Sequence, residues 1–350
     1  MYYILKTFSG KKGSVFMIKI TDVAKLANVS LATVSRVING KNVREENRIV
    51  VEDAIKKLNY TPNFMASNLS KNKSNLILFL VPDISNPYYS LILKGIEETA
   101  LKKEYNIILG SSYGKEEVQY KYLDLLNKKL IDGIILMEKI SKKRINEVIK
   151  NKTLQNRIVQ CSEYFERSDS IIVTIDHKKA SFDATEHLIK TGKKKFYLFN
   201  IKGDFTYSKE RRVGFFEALK KHGIEFDKSN EIILDHLDMM EAERAMDKLL
   251  KKSNSETGIL AVSDVLAFGI LKSLHRNEVL IPKDIAIVGF DGTEFSKVST
   301  PSLSSVLQPC CELGVESFKC LMELIEGNFR NMGKKIILNH QLLIRESSKL

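Results

Sequence analysis

The sequence predicts an α/β protein in which a small all-α domain precedes a two-lobed core of doubly wound parallel sheets. Residues 21–38 have the spacing of two short helices, apolar strands alternate with helices from Asn75 onward, and this alternation starts again near Ile171. Such alternation is typical of parallel sheets with helices on both faces. The 350 residues, of which 43% are hydrophobic, suffice for two or three domains with cores of their own.

The positive charge is concentrated near the N-terminus. The chain has a formal net charge of +12, and residues 1–75 hold 13 Lys and Arg against 5 Asp and Glu. A local excess of this kind favours an anionic partner for the N-terminal domain, although a solvated basic surface is the alternative.

The composition favours a cytoplasmic protein. The four cysteines, whose spacing fits neither a disulfide framework nor a metal site, are Cys161, Cys310, Cys311 and Cys320. No apolar run is long enough to span a membrane, and residues 1–16 lack the apolar centre and the cleavage site of a secretory signal. We therefore expect reduced thiols, no metal or cofactor and no membrane partner, and we interpret residues 1–16 as an extension that precedes Met17.

Two short helices are predicted over residues 21–38. Thr21 is a suitable N-cap for the first, Ser30 caps the second, and Asn39 with Gly40 ends it. Helices of two turns are not stable alone in water, so they must pack on each other and on a third helix, predicted over residues 45–58. The residues expected to face inward are Val23, Ala24, Ala27, Val34, Val37, Ile38, Ile49, Val50, Ala54, Ile55 and Leu58.

Three helices with a tight turn between the first two form a helix-turn-helix, whose second helix enters the DNA major groove. Arg36 can pair with a guanine, and Leu31 or Ala32 can contact a thymine methyl group. Short donors such as Ser30 and Thr33 suit phosphates. The alternative is that these hydroxyls only cap helices and that Arg36 is solvated, but the local charge favours DNA. The predicted DNA-binding residues of this domain are Thr21, Ser30, Leu31, Ala32, Thr33, Ser35, Arg36 and Asn39.

The core strands are predicted where apolar runs occur. The runs are LILFLV, NIILG and GIILM, followed by IIVTID, KFYLFN, EIILD, GILAV and DIAIVGFD. Ligands of doubly wound sheets bind at the carboxyl ends of the strands, so a cleft between two lobes is expected to be lined by the loops that follow strands.

Polar and aromatic residues stand in those loops. Asn86, Tyr88 and Tyr89 follow the first strand, Asp264 follows GILAV, and Asp291 ends DIAIVGFD. Each has a structural alternative, since Asn and Asp after strands often cap helices or form turns and the tyrosines can be core aromatics. Together they predict a site for a small polar molecule.

The N-terminal stretch TDVAKLANVSLATVSRVING, followed by EENRIVVEDAIKKLNYTPN, resembles the DNA-binding domain of the LacI/GalR family of bacterial transcriptional repressors. The resemblance implies that Leu31, Ala32 and Arg36 read operator bases. It also implies that TPNFMASNLSKNKSN is a hinge that becomes helical on DNA, with Leu69 inserted into the minor groove. Ser67 stands where the family often has arginine.

The same resemblance extends from Met17 to Ser348 through VPDISNPYYSLILKGIEE, RRVGFFEAL, IPKDIAIVGFDGTEF and TPSLSSVLQP. It implies a periplasmic-binding-protein-like core that the chain crosses between lobes three times. The effector contacts that it implies are Tyr88, Tyr89, Arg211, Asp264 and Asp291, together with Asn86 and Ser208. Ser263, Gly292 and Leu237 depart from the family pattern. A monosaccharide remains the leading class of effector, and nucleosides and other small polar metabolites are alternatives.

The domain boundaries are predicted from these patterns. The expected segments are an extension at 1–16, the helix-turn-helix domain at 17–60, a hinge at 61–75, a first core lobe at 76–175 and 307–338, and a second core lobe at 176–306 and 339–350.

We expect a homodimeric repressor or dual regulator that binds a near-palindromic double-stranded DNA operator and is controlled by a small effector, with a carbohydrate as the leading candidate. No nucleotide-binding, hydrolase or metalloprotease motif favours an enzyme. A sugar-binding protein without specific DNA binding is the alternative. Induction or corepression, a phosphocarrier protein as corepressor, and dimer or tetramer stay open.

Overall fold

The structure is a computed structural model that describes residues 18–61, 73–165, 170–251 and 256–349. The chain divides into two compact units, residues 1–72 and residues 73–350. Leu69 and most of the predicted hinge lie outside the described residues. No helix in the described part of the chain is long and apolar enough to cross a membrane.

The described part of the first unit forms helices α1 (Ile20–Ala27), α2 (Leu31–Ile38) and α3 (Glu45–Leu58). The hydroxyl of Ser30 accepts a hydrogen bond from the Thr33 N–H at 3.1 Å, which confirms the predicted cap of α2. Since α1 and α2 have eight residues each, their stability comes from packing. The buried residues of this small core are Val23, Ala24, Ala27, Val34, Val37, Val51 and Ala54.

The predicted N-cap of α1 is wrong. Thr21 lies within the first turn, and the cap position is Lys19, whose backbone N–H donates to the carboxylate of Asp22 at 2.8 Å. The Asp22 side chain reaches back to the chain before the helix, so a capping hydroxyl at position 21 is not needed.

The predicted inward face of α3 is also wrong at two residues, Ile49 and Val50. Ile49 and Val50 are 60% and 42% exposed, whereas Val51 is fully buried. Val51 and Ala54, with Ile55 and Leu58, recur at the spacing i, i+3, i+4, i+7, which is one face of a helix. Ile49 and Val50 lie off that face.

The second unit contains two six-stranded sheets in its described residues, one in each lobe, which confirms the predicted α/β class. The strands are β1 (Leu76–Val81), β2 (Asn106–Ser111), β3 (Gly133–Leu136), β4 (Ile158–Cys161), β5 (Ile171–Ile175), β6 (Lys195–Ile201), β7 (Glu231–Leu234), β8 (Thr257–Ala261), β9 (Ile285–Asp291), β10 (Ser304–Leu307), β11 (Lys335–Leu338) and β12 (Gln341–Leu343). The first sheet has the order β11-β5-β4-β3-β1-β2 and the second β12-β10-β9-β8-β6-β7. Their pairings are parallel except that β12 runs antiparallel to β10.

Helices cover the faces of both sheets. They are α4 (Pro87–Leu101), α5 (Glu116–Asn127), α6 (Lys142–Val148), α7 (Lys152–Gln155), α8 (His177–Lys190), α9 (Thr206–Lys221), α10 (Met239–Leu250), α11 (Asp264–Arg276), α12 (Phe295–Val298) and α13 (Cys310–Ile325). Strand β1 shows why the sheet is buried on both sides, because Ile77 and Phe79 belong to one apolar core of the first lobe and Leu78 and Leu80 to the other.

The chain passes between the two sheets three times. Strand β5 belongs to the first sheet and β6 to the second; β10 belongs to the second sheet, β11 to the first and β12 again to the second. Helix α13, which follows β10, packs on α4 of the first lobe. These crossings place the loop after β10 between the lobes. The residue numbers predicted for the domain boundaries stay a prediction.

Strand β4 is an element that the sequence pattern does not reveal. Its four residues, IVQC, include a buried glutamine, and the strand follows the short helix α7 within three residues. The Gln160 amide donates to Ser170 at 2.6 Å and its carbonyl accepts from the Phe165 N–H at 2.9 Å, so a polar residue is satisfied inside the sheet.

Candidate functional site

Helix α2 presents one exposed face. Leu31 is 48% exposed, and Ala32, Ser35 and Arg36 are exposed as well, on the side of the helix opposite to the buried Val34 and Val37. Among the described residues, the Arg36 guanidinium forms no hydrogen bond or ion pair. An apolar side chain and an unengaged guanidinium on the face of a short helix are suited to contact base edges.

The other predicted DNA-binding residues of this unit are engaged within it. The Ser30 hydroxyl lies 2.9 Å from the Thr33 hydroxyl, and the Asn39 amide donates to the Ser35 carbonyl at 2.7 Å. Thr21 is half-buried. Leu69 lies outside the described residues, so its assignment stays a prediction.

A cavity of about 510 Å³ lies between the two lobes of the second unit. Its lining residues come from the ends of strands in both sheets and from the loops and helix starts that follow them, as expected for doubly wound sheets. The lining residues are Pro82, Asp83, Ser85, Asn86, Tyr88, Tyr89, Tyr113, Gly114, Met137, Glu138, Ser162, Glu163, Ile201, Phe205, Tyr207, Arg211, Asp235, His236, Leu237, Asp238, Ser263, Val265 and Asp291. Five of the predicted effector residues are among them: Asn86, Tyr88, Tyr89, Arg211 and Asp291.

Arg211 and Asp291 form the charged centre of the second lobe's wall. The Arg211 Nη1 lies 3.8 Å from Asp291 Oδ1, both side chains are about 5% exposed or less, and the same guanidinium donates to the Val262 carbonyl. The guanidinium carbon also lies 3.5 Å from the centre of the Phe290 ring and 4.9 Å from that of Tyr207. These contacts fix the arginine in one orientation.

The charge of Arg211 also acts on its neighbours. Burial raises the pKa of Asp291, and Arg211 opposes that increase. Burial together with Arg211 holds the pKa of His177 well below its usual range. The neutral imidazole of His177 then accepts from Arg211 Nε through Nδ1 at 3.4 Å, so His177 supports the arginine from behind the wall.

Asp291 is linked to the first lobe through hydrogen bonds. Its carboxylate accepts from the Ser263 hydroxyl at 2.8 Å and from the Gln308 amide at 2.9 Å. The Gln308 carbonyl in turn accepts from the Tyr88 hydroxyl at 3.1 Å. Tyr88 belongs to α4 of the first lobe and Gln308 to the crossing after β10, so this chain of bonds connects the two walls of the cavity.

The backbone near Asp291 explains the glycine that follows it. Asp291 has φ 115° and Gly292 has φ 69°, both in the region that disfavours residues with a Cβ. A Cβ at position 292 would also lie 2.6 Å from the Leu307 Cα. A second aspartate at this position would therefore be strained here, which gives the departure at Gly292 a physical cause.

Asn86 and the two tyrosines form the first lobe's wall. The Asn86 side chain accepts from the Tyr88 N–H at 3.0 Å, so it caps α4 as well as lining the cavity. The Tyr88 and Tyr89 ring centres lie 5.6 Å apart in an edge-to-face arrangement. Both the capping alternative and the site interpretation therefore apply to Asn86.

Ser208 and Asp264 do not line the cavity, contrary to expectation. The Ser208 hydroxyl donates to Asn200 at 2.7 Å behind the wall. The Asp264 carboxylate is fully buried, and it accepts from the Thr293 N–H at 2.8 Å and from the Ser305 hydroxyl at 2.6 Å. Asp264 thus ties the loop after β9, which follows Asp291 directly, to strand β10.

Several lining residues carry chemistry that the sequence pattern does not single out. Glu138 follows β3, and Glu163 follows β4, the strand that the pattern misses. The Glu163 carboxylate accepts from the N–H groups of Thr206 at 2.8 Å and Tyr207 at 3.3 Å, so a residue of the first lobe caps α9 of the second. The rule that ligands collect after strands could have found Glu138, but Glu163 required knowledge of β4.

No cluster of three or more potential metal ligands occurs among the described residues. The cysteines in the described part of the chain are free, and burial raises the pKa of Cys161 to about 12.

Comparison with known proteins agrees with the two-part architecture. Residues 19–63 match the family described as bacterial regulatory proteins, lacI family. Residues 74–346 match the family of periplasmic binding proteins and sugar binding domain of the LacI family.

Individual relatives cover nearly the whole chain. The HTH-type transcriptional regulator RegA of Clostridium saccharobutylicum is 33% identical over 334 residues, which are 94% of this chain and 98% of RegA. The repressor CytR of Escherichia coli is 30% identical over 329 residues, 94% of this chain and 95% of CytR. A solved LacI-family regulator from Enterococcus faecium with bound ribose is 26% identical, with a TM-score of 0.70, and the match covers 78% of this chain and 98% of that one.

A three-helix domain followed by a two-lobed core with a cavity between its lobes defines a class of DNA-binding regulators that carry an effector-binding domain. The chain belongs to the LacI family of bacterial regulatory proteins. It is a DNA-binding transcriptional regulator with an effector-binding core domain, and its family consists of transcriptional regulators rather than enzymes.

Proposed function

We propose that the protein is a homodimeric repressor whose affinity for a specific operator is set by a small polar effector, a sugar or a related metabolite, in the cavity between the core lobes. The observation that carries the proposal is the convergence of Tyr88, Arg211 and Asp291 on one cavity from separate elements of both lobes. The dimer, the effector class and the repressor role are parts of this proposal.

The DNA contact is proposed for the exposed face of α2. Leu31 and Ala32 contact thymine methyl groups, and Arg36 pairs with a guanine. The hydroxyls of Ser30, Thr33 and Ser35 form hydrogen bonds with phosphates and neighbouring base edges. In a dimer with twofold symmetry two such helices read half-sites about one turn of DNA apart, so the operator is a near-palindrome.

The ligand class is proposed from the lining. Tyr88, Tyr89, Tyr207 and Phe205 offer aromatic faces, and Asp291, Arg211 and Asn86 offer fixed polar groups. A cavity of about 510 Å³ falls within the range of about 300–1,000 Å³ that is usual for sites of small molecules. The E. faecium relative with bound ribose supports a carbohydrate.

Coupling is proposed to run through the contacts between the lobes. Lys139 and Asp204 form an ion pair of 2.6 Å between the lobes, and Glu163 caps α9 from across the cleft. A ligand that touches both walls changes the balance between closed and open lobes. Because that balance differs between the DNA-bound and free protein, the coupling must be reciprocal. The predicted hinge at 61–75 is the proposed link to DNA.

The experiment that tests the proposal is selection of bound duplexes from a random pool by the purified full-length protein at near-physiological salt, since phosphate contacts make affinity depend on salt. Enrichment of a near-palindrome, and its release by a deproteinised metabolite extract, is the expected result. Enrichment that no metabolite affects would contradict the effector role. If no sequence is enriched with or without the extract, the protein is instead a ligand-binding protein without specific DNA recognition.

A further inference from the structure

Glu138 is a buried acid in the cavity wall, apart from the residues proposed above to contact the effector. It follows β3 of the first lobe, is 4% exposed and lines the cavity. A carboxyl group in such a place must find partners in the protein or in a ligand, because burial without partners is unfavourable.

One oxygen of Glu138 is fixed by donors. Its Oε2 accepts from the Ser112 hydroxyl at 2.5 Å and from the Gln119 amide at 2.7 Å. The Gln119 carbonyl accepts from Arg144 at 2.8 Å, which orients the amide so that its NH₂ group meets Glu138. The Ser112 hydroxyl itself accepts from the Gly114 N–H at 3.0 Å, so its proton is available for Glu138.

The other oxygen has no such partner. Glu138 Oε1 is buried and has no hydrogen-bond partner within the described residues. The adjacent lysine does not neutralise the carboxylate, because the Lys139 ammonium lies 2.6 Å from Asp204. Glu138, which lines the cavity, therefore has one oxygen fixed by donors and one buried oxygen for which the described residues offer no partner.

The charged side chains that line the cavity also favour a cationic ligand. Its carboxylate residues are Asp83, Glu138, Glu163, Asp235, Asp238 and Asp291, whereas Arg211 and His236 are its basic side chains. The Arg211 guanidinium is already held by Val262, His177 and Asp291. Although the chain as a whole is strongly basic, this cavity has acidic walls and suits a cation.

We propose that Glu138 Oε1 binds a positively charged amino group of the effector, so that the effector is a small hydroxylated amine of the amino-sugar kind. The inference rests on the proposed effector role of the cavity and narrows its ligand class. The hydroxyl groups of such a ligand pair with Asp291 and Asn86, and the faces of Tyr88, Tyr89 and Tyr207 contact its ring and favour its positive charge.

The protonation of Glu138 is consistent with this geometry. Burial raises the pKa of Glu138, while the hydrogen bonds from Ser112 and Gln119 oppose that increase. An ammonium group within hydrogen-bonding distance of Oε1 favours the charged carboxylate, because opposite charges in contact stabilise each other in a buried site.

The test compares monosaccharides with their amino analogues on the full-length protein by titration calorimetry. The pairs are glucose and glucosamine, galactose and galactosamine, and mannose and mannosamine. We expect at least one amine to bind ten times more tightly than its neutral partner, or better. Glu138→Gln, which keeps the shape and one acceptor, removes this preference, so that the variant binds the amine and its neutral partner with similar affinity. Glu117→Gln, the same change at an exposed position on α5, leaves the preference intact.

Three results overturn the inference. They are equal binding of the two members of every pair, binding of no amine, and an amine preference that survives Glu138→Gln. The proposed function is judged separately, since release of the operator by a neutral metabolite would sustain it even where the amine inference fails. Retained binding of the neutral sugar shows that Glu138→Gln is folded.

Discussion

The exposed face of α2 and the cavity of the core solve recognition in different ways. On α2 the side chains proposed to contact DNA are exposed, as Leu31 shows at 48%, and Arg36 has no partner among the described residues. In the cavity, Arg211 and Asp291 are 3% and 4% exposed and are held by hydrogen bonds before any ligand arrives. The exposed face of α2 is therefore left open to a partner, whereas the fold itself holds the cavity residues in place.

This difference has a consequence for mutations. A change on the exposed face of α2 should alter DNA binding without cost to folding, because it removes no internal contact. A change in the cavity wall should alter both ligand response and stability, since the wall residues also hold the lobes together.

The largest effect is expected for Asp291→Asn. It removes the negative charge beside Arg211 and leaves a buried guanidinium without its counterion. Breaking a buried ion pair in this way should lower the free energy of unfolding by about 3 kcal/mol or more. We expect the metabolite concentration for half-maximal release of operator DNA to rise by about 100-fold or more. Fluorescence anisotropy of a labelled operator measures it, with Asp227→Asn at an exposed position as the control. An unchanged dose-response curve would remove Asp291 from the ligand site.

The next effect is expected for Arg36→Ala. Loss of a guanine contact should weaken operator binding by about 1 to 3 kcal/mol and leave thermal stability and ligand affinity unchanged. Lys25→Ala, at an exposed position on α1, is the matched removal of a basic side chain. Binding to the operator and to random duplex is compared at one salt concentration. Equal losses on both duplexes would show that Arg36 contacts phosphate only.

A smaller effect is expected from the titration of Asp264. Burial, with the negative charge of Asp291 adding to it, raises the pKa of Asp264 from 3.8 to about 7. The folded chain then holds this proton more tightly than the unfolded chain, so stability should fall as pH rises from about 4 to about 7 and level off above that. The contribution is up to about 1.4 kcal/mol per pH unit and is shared with Asp291.

Urea unfolding of the wild type and of Asp264→Asn measures this contribution. The variant cannot titrate at position 264, so the stability of the wild type relative to the variant should decline between about pH 5 and about pH 7. A difference that is constant over this range would mean that Asp264 titrates normally in the folded chain.

The contrast between the two sites also shows what the sequence could predict. Helix α2 is a continuous segment, so once Val34 and Val37 are assigned to the core, the remaining side chains are the exposed ones. Its cap at Ser30 and its end at Asn39 follow from local chemistry. The predicted start of α1 is wrong because the helix is capped by the Asp22 carboxylate, which accepts from the Lys19 N–H, and not by the hydroxyl of Thr21.

The cavity was predicted less completely because it is assembled from distant segments. The rule of strand ends located Tyr88, Tyr89 and Asp291, each next to a clear apolar run. The same rule predicts Asp264 in the cavity as well, but its carboxylate accepts hydrogen bonds from Thr293 and Ser305 instead. The local sequence around Asp264 does not indicate which way its side chain points. Glu163 was missed because β4 is short and contains a buried glutamine.

The measurement that tests the central claim most directly is the affinity of the full-length protein for its selected operator with and without a metabolite fraction that raises its thermal midpoint. We predict a change in operator affinity of about 5- to 150-fold, which is the usual size of coupling between two sites, and its loss in Asp291→Asn. Identical operator affinity in the presence and absence of a bound metabolite would contradict the claim that the cavity controls DNA binding.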